Sequence, residues 1–295
     1  DGLSDELADH TMERTRRYLE TGPTALAYNA RLVAQGRVDP NDRKGMLAYL
    51  LAGLEANPNV TWYTFAGADG AYLSAYRTPD GIRLTWREQE DDAARFRDFN
   101  VAPDGTWGAQ PEQVKPYDPR TRGWYEAALD SDDVVWSEPF LFASGPPGFI
   151  LSARATEPDG ALLGVWGIEY EMAYVSEFLA GLEIGKTGRA YLITRAGEVI
   201  GHPEAGGNIA AVDGWISVKR GDAKAIATAA DHRDPWLRQA YAAIEDGRAS
   251  SASTLRIGWY SLRRPATPRT TRPSFKSMAG MSFTATEGLA FPRTR

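Results

Sequence analysis

The sequence predicts an α+β fold in which a long N-terminal helix precedes two units built on antiparallel sheets. Apolar residues recur every seven positions near the N-terminus, which predicts one amphipathic helix over residues 3–36; they are Met12, Leu19, Leu26 and Val33. From Asn59 onward the apolar period changes to two, as in strands that bury one face. Asp-Gly pairs between these strands indicate hairpin turns.

Each further element has a local signal of its own. Pro40 follows Asp39 and suits a first helical position, so a second helix begins there. Gly22 and Pro23 predict a kink in the first helix. The strands predicted for the first unit are 60–65, 71–76, 82–87, 134–142, 149–156 and 161–170. The second unit is predicted to hold a helix at 172–182, a hairpin at 189–201, helical segments within 222–246 and a strand at 251–262.

These elements divide the chain into four parts: the long helix (1–38), a first subdomain (39–181), a second subdomain (182–262) and a tail (263–295). The tail is rich in Pro and Thr and has no apolar period, so we predict that it is disordered and stays outside the core. From Leu255 onward there are eight Lys or Arg and one acid, Glu287. The change is abrupt enough to suggest a shifted reading frame as its origin.

Composition limits the functions open to the chain. With 295 residues, of which 43% are hydrophobic, it can bury one large core or two modest ones. The net charge of −6 does not favour nucleic-acid binding, and the lack of Cys excludes disulfides and thiolate metal sites. The three His residues lack metal-ligand spacing, so we expect neither a metal nor a cofactor. No run reaches the roughly 18 apolar residues that cross a bilayer.

Residues 117–125, Tyr-Asp-Pro-Arg-Thr-Arg-Gly-Trp-Tyr, concentrate binding chemistry in nine positions. A guanidinium can grip a carboxylate through two parallel hydrogen bonds, and Trp124 stands close enough to Arg122 to wall a pocket. The same residues also fit an Asp-Pro cap that opens a helix, with the rings in the core and the Arg side chains on the surface. The residues alone leave both interpretations open.

This segment resembles the Tyr-Asp-Pro-Arg-x-Arg-x-Trp-Tyr signature of double Cache domains, which are PAS-like extracytoplasmic sensor modules of bacterial transmembrane receptors. The stretch from Ile184 to Pro203 is similar to the start of that family's membrane-proximal subdomain. The resemblance covers about residues 1–255. It implies two Cache subdomains beside the long helix, a periplasmic or extracellular location, and membrane helices beyond both ends.

The resemblance also implies where a ligand binds. The pocket would lie in the first, membrane-distal subdomain, where Arg122 and Trp124 would hold a ligand carboxylate next to Tyr117. The second subdomain is expected to contribute no site residues.

Three positions depart from the family's pattern. Phe140 and Phe142 stand where the family has a Tyr and an Asp around a ligand ammonium, and Glu169 replaces another Asp. An ammonium buried without such partners is costly, so we expect a small organic acid with an apolar body. A quaternary amine facing the rings, with Glu169 as counter-charge, stays possible, as does an amino acid.

We predict the ligand-sensing domain of a transmembrane receptor. It would form a homodimer through the N-terminal helix and relay ligand binding to a cytoplasmic cyclase, kinase or chemotaxis module. A secreted solute-binding protein would explain the same pocket without a membrane. A glycoside hydrolase would use Glu169 and Glu171, which share a face of one strand. We expect no catalytic residues, because a hydrolase leaves Arg122 without a role.

Overall fold

A computed structural model gives the architecture of the chain and describes residues 2–90, 93–142, 145–184, 188–206, 212–220, 223–246 and 281–286. The helices are α1 (Gly2–Ala34), α2 (Arg43–Ala56), α3 (Gly123–Leu129), α4 (Met172–Ala180) and α5 (Pro235–Glu245), with single 3-10 turns at Pro119–Thr121 and Pro203–Ala205. The first ten strands are β1 (Trp62–Gly67), β2 (Tyr72–Thr78), β3 (Gly81–Glu90), β4 (Ala93–Val101), β5 (Trp107–Ala109), β6 (Gln113–Lys115), β7 (Val135–Trp136), β8 (Phe140–Leu141), β9 (Pro147–Thr156) and β10 (Leu162–Glu171). The remaining strands are β11 (Arg189–Thr194), β12 (Val199–Gly201), β13 (Ser217–Arg220), β14 (Ala223–Ile226) and β15 (Met281–Thr286).

The first subdomain is one antiparallel sheet of ten strands. Its order is β5-β4-β3-β2-β1-β10-β9-β7, with β6 also pairing with β4 and β8 with β9. The central strand β1 therefore joins β2 to β10, which comes about a hundred residues later. The predicted α+β class with its long N-terminal helix is confirmed.

Helices α1 and α2 cover one face of this sheet. The alternation of each strand sends residues such as Phe65, Leu73 and Trp166 toward these helices, where they are fully buried. The next residues along the strands point to the opposite face, which α3 covers only in part. The first subdomain therefore has an apolar helix side and a second side on which polar groups collect.

Helix α1 runs without interruption through Pro23, and the tyrosine Tyr170 of β10 supports it there. Proline has no N–H, so the carbonyl four residues earlier, that of Leu19, loses its helical hydrogen bond. The Tyr170 hydroxyl donates to this carbonyl over 3.4 Å. Gly22 allows the approach, because a Cβ at that position would lie 2.7 Å from the same hydroxyl.

The second subdomain differs from the sequence prediction in two places. Residues 223–226, expected to be helical, form the strand β14 paired with β13; Lys219 faces Lys224 in this pair. In the tail, β15 pairs with β11 from Arg189↔Thr286 to Thr194↔Met281. The prediction of a tail outside the core is therefore wrong for these six residues. Their period-two pattern was hidden by the Pro-rich and basic residues that precede it.

Other predictions for this half of the chain stay open. The strand expected at 251–262 and the tail apart from β15 lie outside the described residues, and the boundaries of the four parts remain predictions. Within the described ranges no helix is both long and apolar enough to span a membrane.

Candidate functional site

The candidate site lies on the face of the ten-stranded sheet that points away from α1 and α2. Strand registers place Arg87 opposite Tyr72, Tyr72 opposite Ala66, and Ala66 opposite Val165, so these four residues form one row across the sheet. Glu169 lies further along β10 on the same face, opposite Trp62. The site therefore extends both across the strands and along them.

The two arginines of the Asp-Pro segment, Arg120 and Arg122, have different partners. The carboxylate of Asp118 accepts from the backbone N–H of Arg120 at 2.9 Å and from its guanidinium at 2.8 Å, which lowers the pKa of Asp118. Arg120 thus belongs to the cap. Arg122, the N-cap residue of α3, makes no ion pair with any described residue, and its guanidinium lies 4.7 Å from the centre of the Tyr117 ring. Of the two, Arg122 is the one available to a ligand.

A second arginine, Arg87, was missed by the sequence analysis. It is fully buried, donates to the Gly70 carbonyl, and lies 5.2 Å from the Tyr117 ring and 6.0 Å from the Phe96 ring. Burial lowers the pKa of its guanidinium. Its place in the alternation of β3, two residues after Thr85 on the face opposite Leu84, was the signal that could have found it.

Tyr117 contacts both arginines and two further aromatic rings. Its ring makes edge contacts with Tyr72 and Phe96, with centroids 5.5 and 5.9 Å apart. Burial raises the pKa of its hydroxyl to about 12, and the negative charge of Glu169 contributes to this shift. Tyr117 therefore lies beside Arg122, and the charge of Glu169 disfavours ionisation of its hydroxyl.

The remaining aromatic residues of the prediction line the same face. Trp124 is buried on α3 against Gly167, where a Cβ would lie 3.7 Å from the indole, and its carbonyl accepts from the Ser152 hydroxyl at 2.8 Å. Phe140 packs beside the cluster around Trp124 and meets Phe142 edge to face at 5.1 Å. The Phe142 ring occupies the space that a side chain at Gly148 would fill.

Two carboxyls close the site at the end of β10. Burial raises the pKa of Glu169 to about 8, with a further contribution from the charge of Glu171. Burial also raises the pKa of Glu171, which is 8% exposed, and its Oε2 atom has no hydrogen-bond partner among the described residues. Glu169 is therefore mainly protonated at neutral pH, and burial disfavours the ionised form of Glu171.

The structure thus brings all six predicted residues to one face of the sheet. They are Tyr117, Arg122, Trp124, Phe140, Phe142 and Glu169. Their role as ligand contacts stays a prediction. Arg87 and Tyr72 join them as residues that the sequence analysis did not name.

A second buried polar cluster lies in the second subdomain and is closed on itself. The carboxylate of Asp234 accepts from the Tyr191 hydroxyl at 2.9 Å and bonds to His202 Nε2 at 3.1 Å. His202 Nδ1 accepts from the Glu204 N–H, so this ring is neutral with its proton on Nε2. His202 lies between Trp215 and His232, with ring centroids 4.5 and 4.9 Å away.

His232 completes this cluster in the same way. Its Nδ1 accepts from the Asp234 N–H at 3.1 Å and its Nε2 bonds to the Trp215 carbonyl at 2.6 Å. Burial lowers the pKa of His202 to about 4 and also lowers that of His232. With every ring nitrogen engaged, the cluster has the features of a structural network. Within the described ranges no three His, Cys, Asp or Glu side chains are grouped to hold a metal ion.

Comparison with known sequences gives relatives of one kind. No family model matches the chain. It is 32% identical over 89 residues to the methyl-accepting chemotaxis protein PscA of Pseudomonas syringae and 30% identical over 103 residues to PctB of Pseudomonas aeruginosa. The matches take in 30% and 34% of this chain but 14% and 16% of the two relatives. The chain therefore spans less than a fifth of their length.

Solved structures with a similar outline are sensor domains. The ligand-binding domain of Campylobacter jejuni chemoreceptor Tlp3, in complex with 4-methylisoleucine, has a TM-score of 0.48 at 13% identity, covering 68% of this chain and 69% of that one. The amino-acid chemoreceptor PctC of Pseudomonas aeruginosa, in complex with GABA, has a TM-score of 0.45 at 22% identity, covering 68% and 73%.

The class of protein indicated by the sequence is thus a receptor sensor domain. The predicted resemblance is confirmed, since the relatives are methyl-accepting chemotaxis proteins. In particular, about a third of the chain is similar to methyl-accepting chemotaxis proteins.

Proposed function

We propose that this chain is the extracytoplasmic ligand-sensing domain of a transmembrane signalling receptor, and that it binds a small carboxylate in its first subdomain. The observation that carries the proposal is the pair of guanidinium groups, Arg87 and Arg122, on the Tyr117 ring. Arg87 is held by the Gly70 carbonyl, whereas Arg122 has no acidic partner among the described residues. A planar donor fork of this kind suits a carboxylate.

The shape of the site favours an acid with an apolar body over an α-amino acid. Trp124 and Phe140 belong to the apolar cluster that also holds Tyr72 and Tyr117, and Phe142 meets Phe140 edge to face. An ammonium on the carbon next to the carboxylate would face these rings and lose its hydration. We expect propionate, lactate or butyrate to bind more tightly than the matching α-amino acid, as measured by calorimetric competition.

Replacing Arg122 tests the proposal directly. Bound ligand stabilises the folded state by about 2.7 kcal/mol at a concentration of a hundred times its Kd, so the melting temperature rises measurably. Arg122→Ala should abolish this rise for every carboxylate that stabilises the wild type, with the ligand-free melting temperature unchanged. Arg16→Ala, which removes an exposed arginine of α1, is the matched control and should keep the rise. An unchanged rise in the Arg122 variant would refute the site.

Helix α1 supports the proposal of a homodimer. Tyr28 is 60% exposed and lies at a depression of about 510 Å³ on the surface of the helix, which Arg17, Glu20 and Thr24 also line. We propose that this face meets the same face of a second copy. Tyr28→Glu should then shift the protein to the monomer in sedimentation experiments; a monomeric wild type would refute the contact.

The structure supports the two alternative functions, glycoside hydrolase and secreted solute-binding protein, less well. A glycoside hydrolase would use Glu169 and Glu171 as its carboxyl pair and would leave Arg122, on the Tyr117 ring, without a role. We therefore infer that the chain is not an enzyme, which an absence of turnover on a glycoside panel would support. A secreted solute-binding protein would lack the membrane segments that the full-length reading frame of a receptor contains.

A further inference from the structure

Strand alternation places a row of small side chains, most of them hydroxyls, across the middle of the candidate site. This hydroxyl row is two residues along each strand from the row that contains Arg87, which is a spacing of about 7 Å. The row of Glu169 follows at the same spacing on the other side. From β3 through β2, β1 and β10 to β9, the hydroxyl row consists of Thr85, Ser74, Thr64, Gly167 and Ser152.

One hydroxyl of this row differs from the other three. Ser74 is 0% exposed, and its Oγ atom has no hydrogen-bond partner among the described residues. The other three hydroxyls donate to neighbouring groups: Thr85 to the Asp98 carboxylate at 2.6 Å, Thr64 to the Leu73 carbonyl at 2.8 Å and Ser152 to the Trp124 carbonyl at 2.8 Å. Buried hydroxyls are nearly always bonded, so the one that the chain leaves over is available to a ligand.

The proposed carboxylate site brings a ligand over this row. Trp124 packs against Gly167, a member of the row, where a Cβ would lie 3.7 Å from the indole. Arg122 precedes Trp124 by two residues, at the start of α3. A ligand whose carboxylate is held by Arg122 and whose body lies along Trp124 therefore extends toward Ser74.

The Tyr72 hydroxyl lies in the same part of the site. Burial raises the pKa of Tyr72, and the neighbouring hydroxyls of Thr64 and Ser74 act in the opposite direction. Tyr72 and Ser74 nevertheless form no hydrogen bond with each other, since Ser74 Oγ has no partner among the described residues. Each of these hydroxyls can donate and accept, so a ligand oxygen placed beside them can bond to both.

We propose that Ser74 determines the specificity of the pocket by binding an oxygen atom of the ligand, so that the ligand is a hydroxy acid or an oxo acid. This inference rests on the proposed carboxylate site. The Ser74 hydroxyl accepts from a ligand hydroxyl or donates to an oxo group. An acid without such an oxygen leaves Ser74 buried and unpaired, and it therefore binds less tightly.

Two sets of acids matched in chain length test this role by calorimetry. The first is propionate, lactate and pyruvate, and the second is butyrate and 3-hydroxybutyrate. In at least one set we expect an oxygen-bearing acid to bind about fivefold to tenfold more tightly than its parent, as one added hydrogen bond provides. Ser74→Ala should bring these affinities together without weakening propionate or butyrate. Lactate compared with pyruvate distinguishes a hydroxyl from an oxo group.

Thr85→Val is the matched control. It removes a hydroxyl of the same row that is already bonded to Asp98, so the preference for the oxygen-bearing acid should stay as in the wild type. Thermal unfolding without ligand is a second measurement. Ser74→Ala deletes a buried hydroxyl that has no partner, so its melting temperature should equal or exceed that of the wild type. A clearly lower value would show that Ser74 is already bonded within the chain, and would overturn its role.

The calorimetric outcomes separate the two proposals. If no oxygen-bearing acid binds more tightly than its parent, or if the preference persists in Ser74→Ala, the role of Ser74 is wrong and the carboxylate site stands. Binding that persists in Arg122→Ala would overturn the carboxylate site itself. A folded wild type that binds none of the five acids would overturn both proposals.

Discussion

The two subdomains each bury a cluster of polar groups, and the clusters differ in how they are completed. In the second subdomain the ring nitrogens of His202 and His232, the Tyr191 hydroxyl and the Asp234 carboxylate all have partners within the chain. In the first subdomain Glu171 has a buried oxygen without a partner among the described residues. Burial alone therefore does not mark a binding site. The difference lies in which polar atoms the fold leaves for something else to satisfy.

Removing the acid at the centre of the closed cluster should have the largest effect. Asp234→Ala leaves the Tyr191 hydroxyl and His202 Nε2 without partners and removes the cap that accepts from the Trp236 N–H at 2.9 Å. We expect a loss of about 3–5 kcal/mol in the free energy of unfolding, measured in urea.

Asp213→Ala is the matched control for this loss. Its carboxylate is largely exposed and bonds to Ser217 and Lys224, so the loss should stay below about 1 kcal/mol. Equal losses in the two variants would show that the closed cluster has no special structural role.

The two clusters should also respond to pH in opposite directions. The unfolded chain protonates His202 near pH 6.5, whereas the folded chain does so only near pH 4. The folded state is therefore destabilised as the pH falls from about 6.5 to about 4, by up to about 3 kcal/mol. Glu169 acts the other way, because its pKa is raised from 4.5 to about 8 and its contribution is lost as the pH rises through that interval.

The free energy of unfolding, measured against pH in the Glu169→Gln variant, no longer contains the Glu169 contribution and so shows that of the histidines. The loss on acidification should persist there and become smaller in the double variant Glu169→Gln/His202→Gln, in which only His232 still contributes. A profile that is flat between pH 6.5 and 4 in the single variant would contradict the neutral, fully engaged imidazoles.

Removing the charge of Glu171 in the first subdomain should change the free energy of unfolding by a smaller amount and in the opposite direction. Glu171→Gln replaces a buried carboxyl that lacks a partner for Oε2 with an uncharged amide. We expect a gain of about 1 kcal/mol, which raises the melting temperature by a few degrees. Asp234→Asn, the same exchange in the closed cluster, should lower it. If both exchanges shift the melting temperature in the same direction, the proposed difference between the Asp234 cluster and Glu171 is wrong.

The sequence predicted those features that depend on local pattern. The α+β class, the long helix and the cap at Asp118 follow from periodicity and turn chemistry. Arg87 was missed because its burial depends on the pairing of β3 with β2 and β4, which brings Tyr72 and Phe96 to its sides. Strand β15 was missed because Pro-rich and basic residues precede it and because its partner β11 lies about ninety residues earlier. Contacts set by distant pairing leave little trace in one sequence.

The contact of Tyr170 with helix α1 connects the strand that carries Glu169 and Glu171 to the face of the sheet that α1 covers. Tyr170 stands between Glu169 and Glu171 on β10, so its ring points opposite to theirs and reaches the Leu19 carbonyl that Pro23 leaves unbonded. Any movement of the strand at Glu169 and Glu171 therefore also moves Tyr170. Tyr170 then carries this movement through the sheet to helix α1. The contact is made at the Leu19 carbonyl, where the missing hydrogen bond makes the helix easiest to bend.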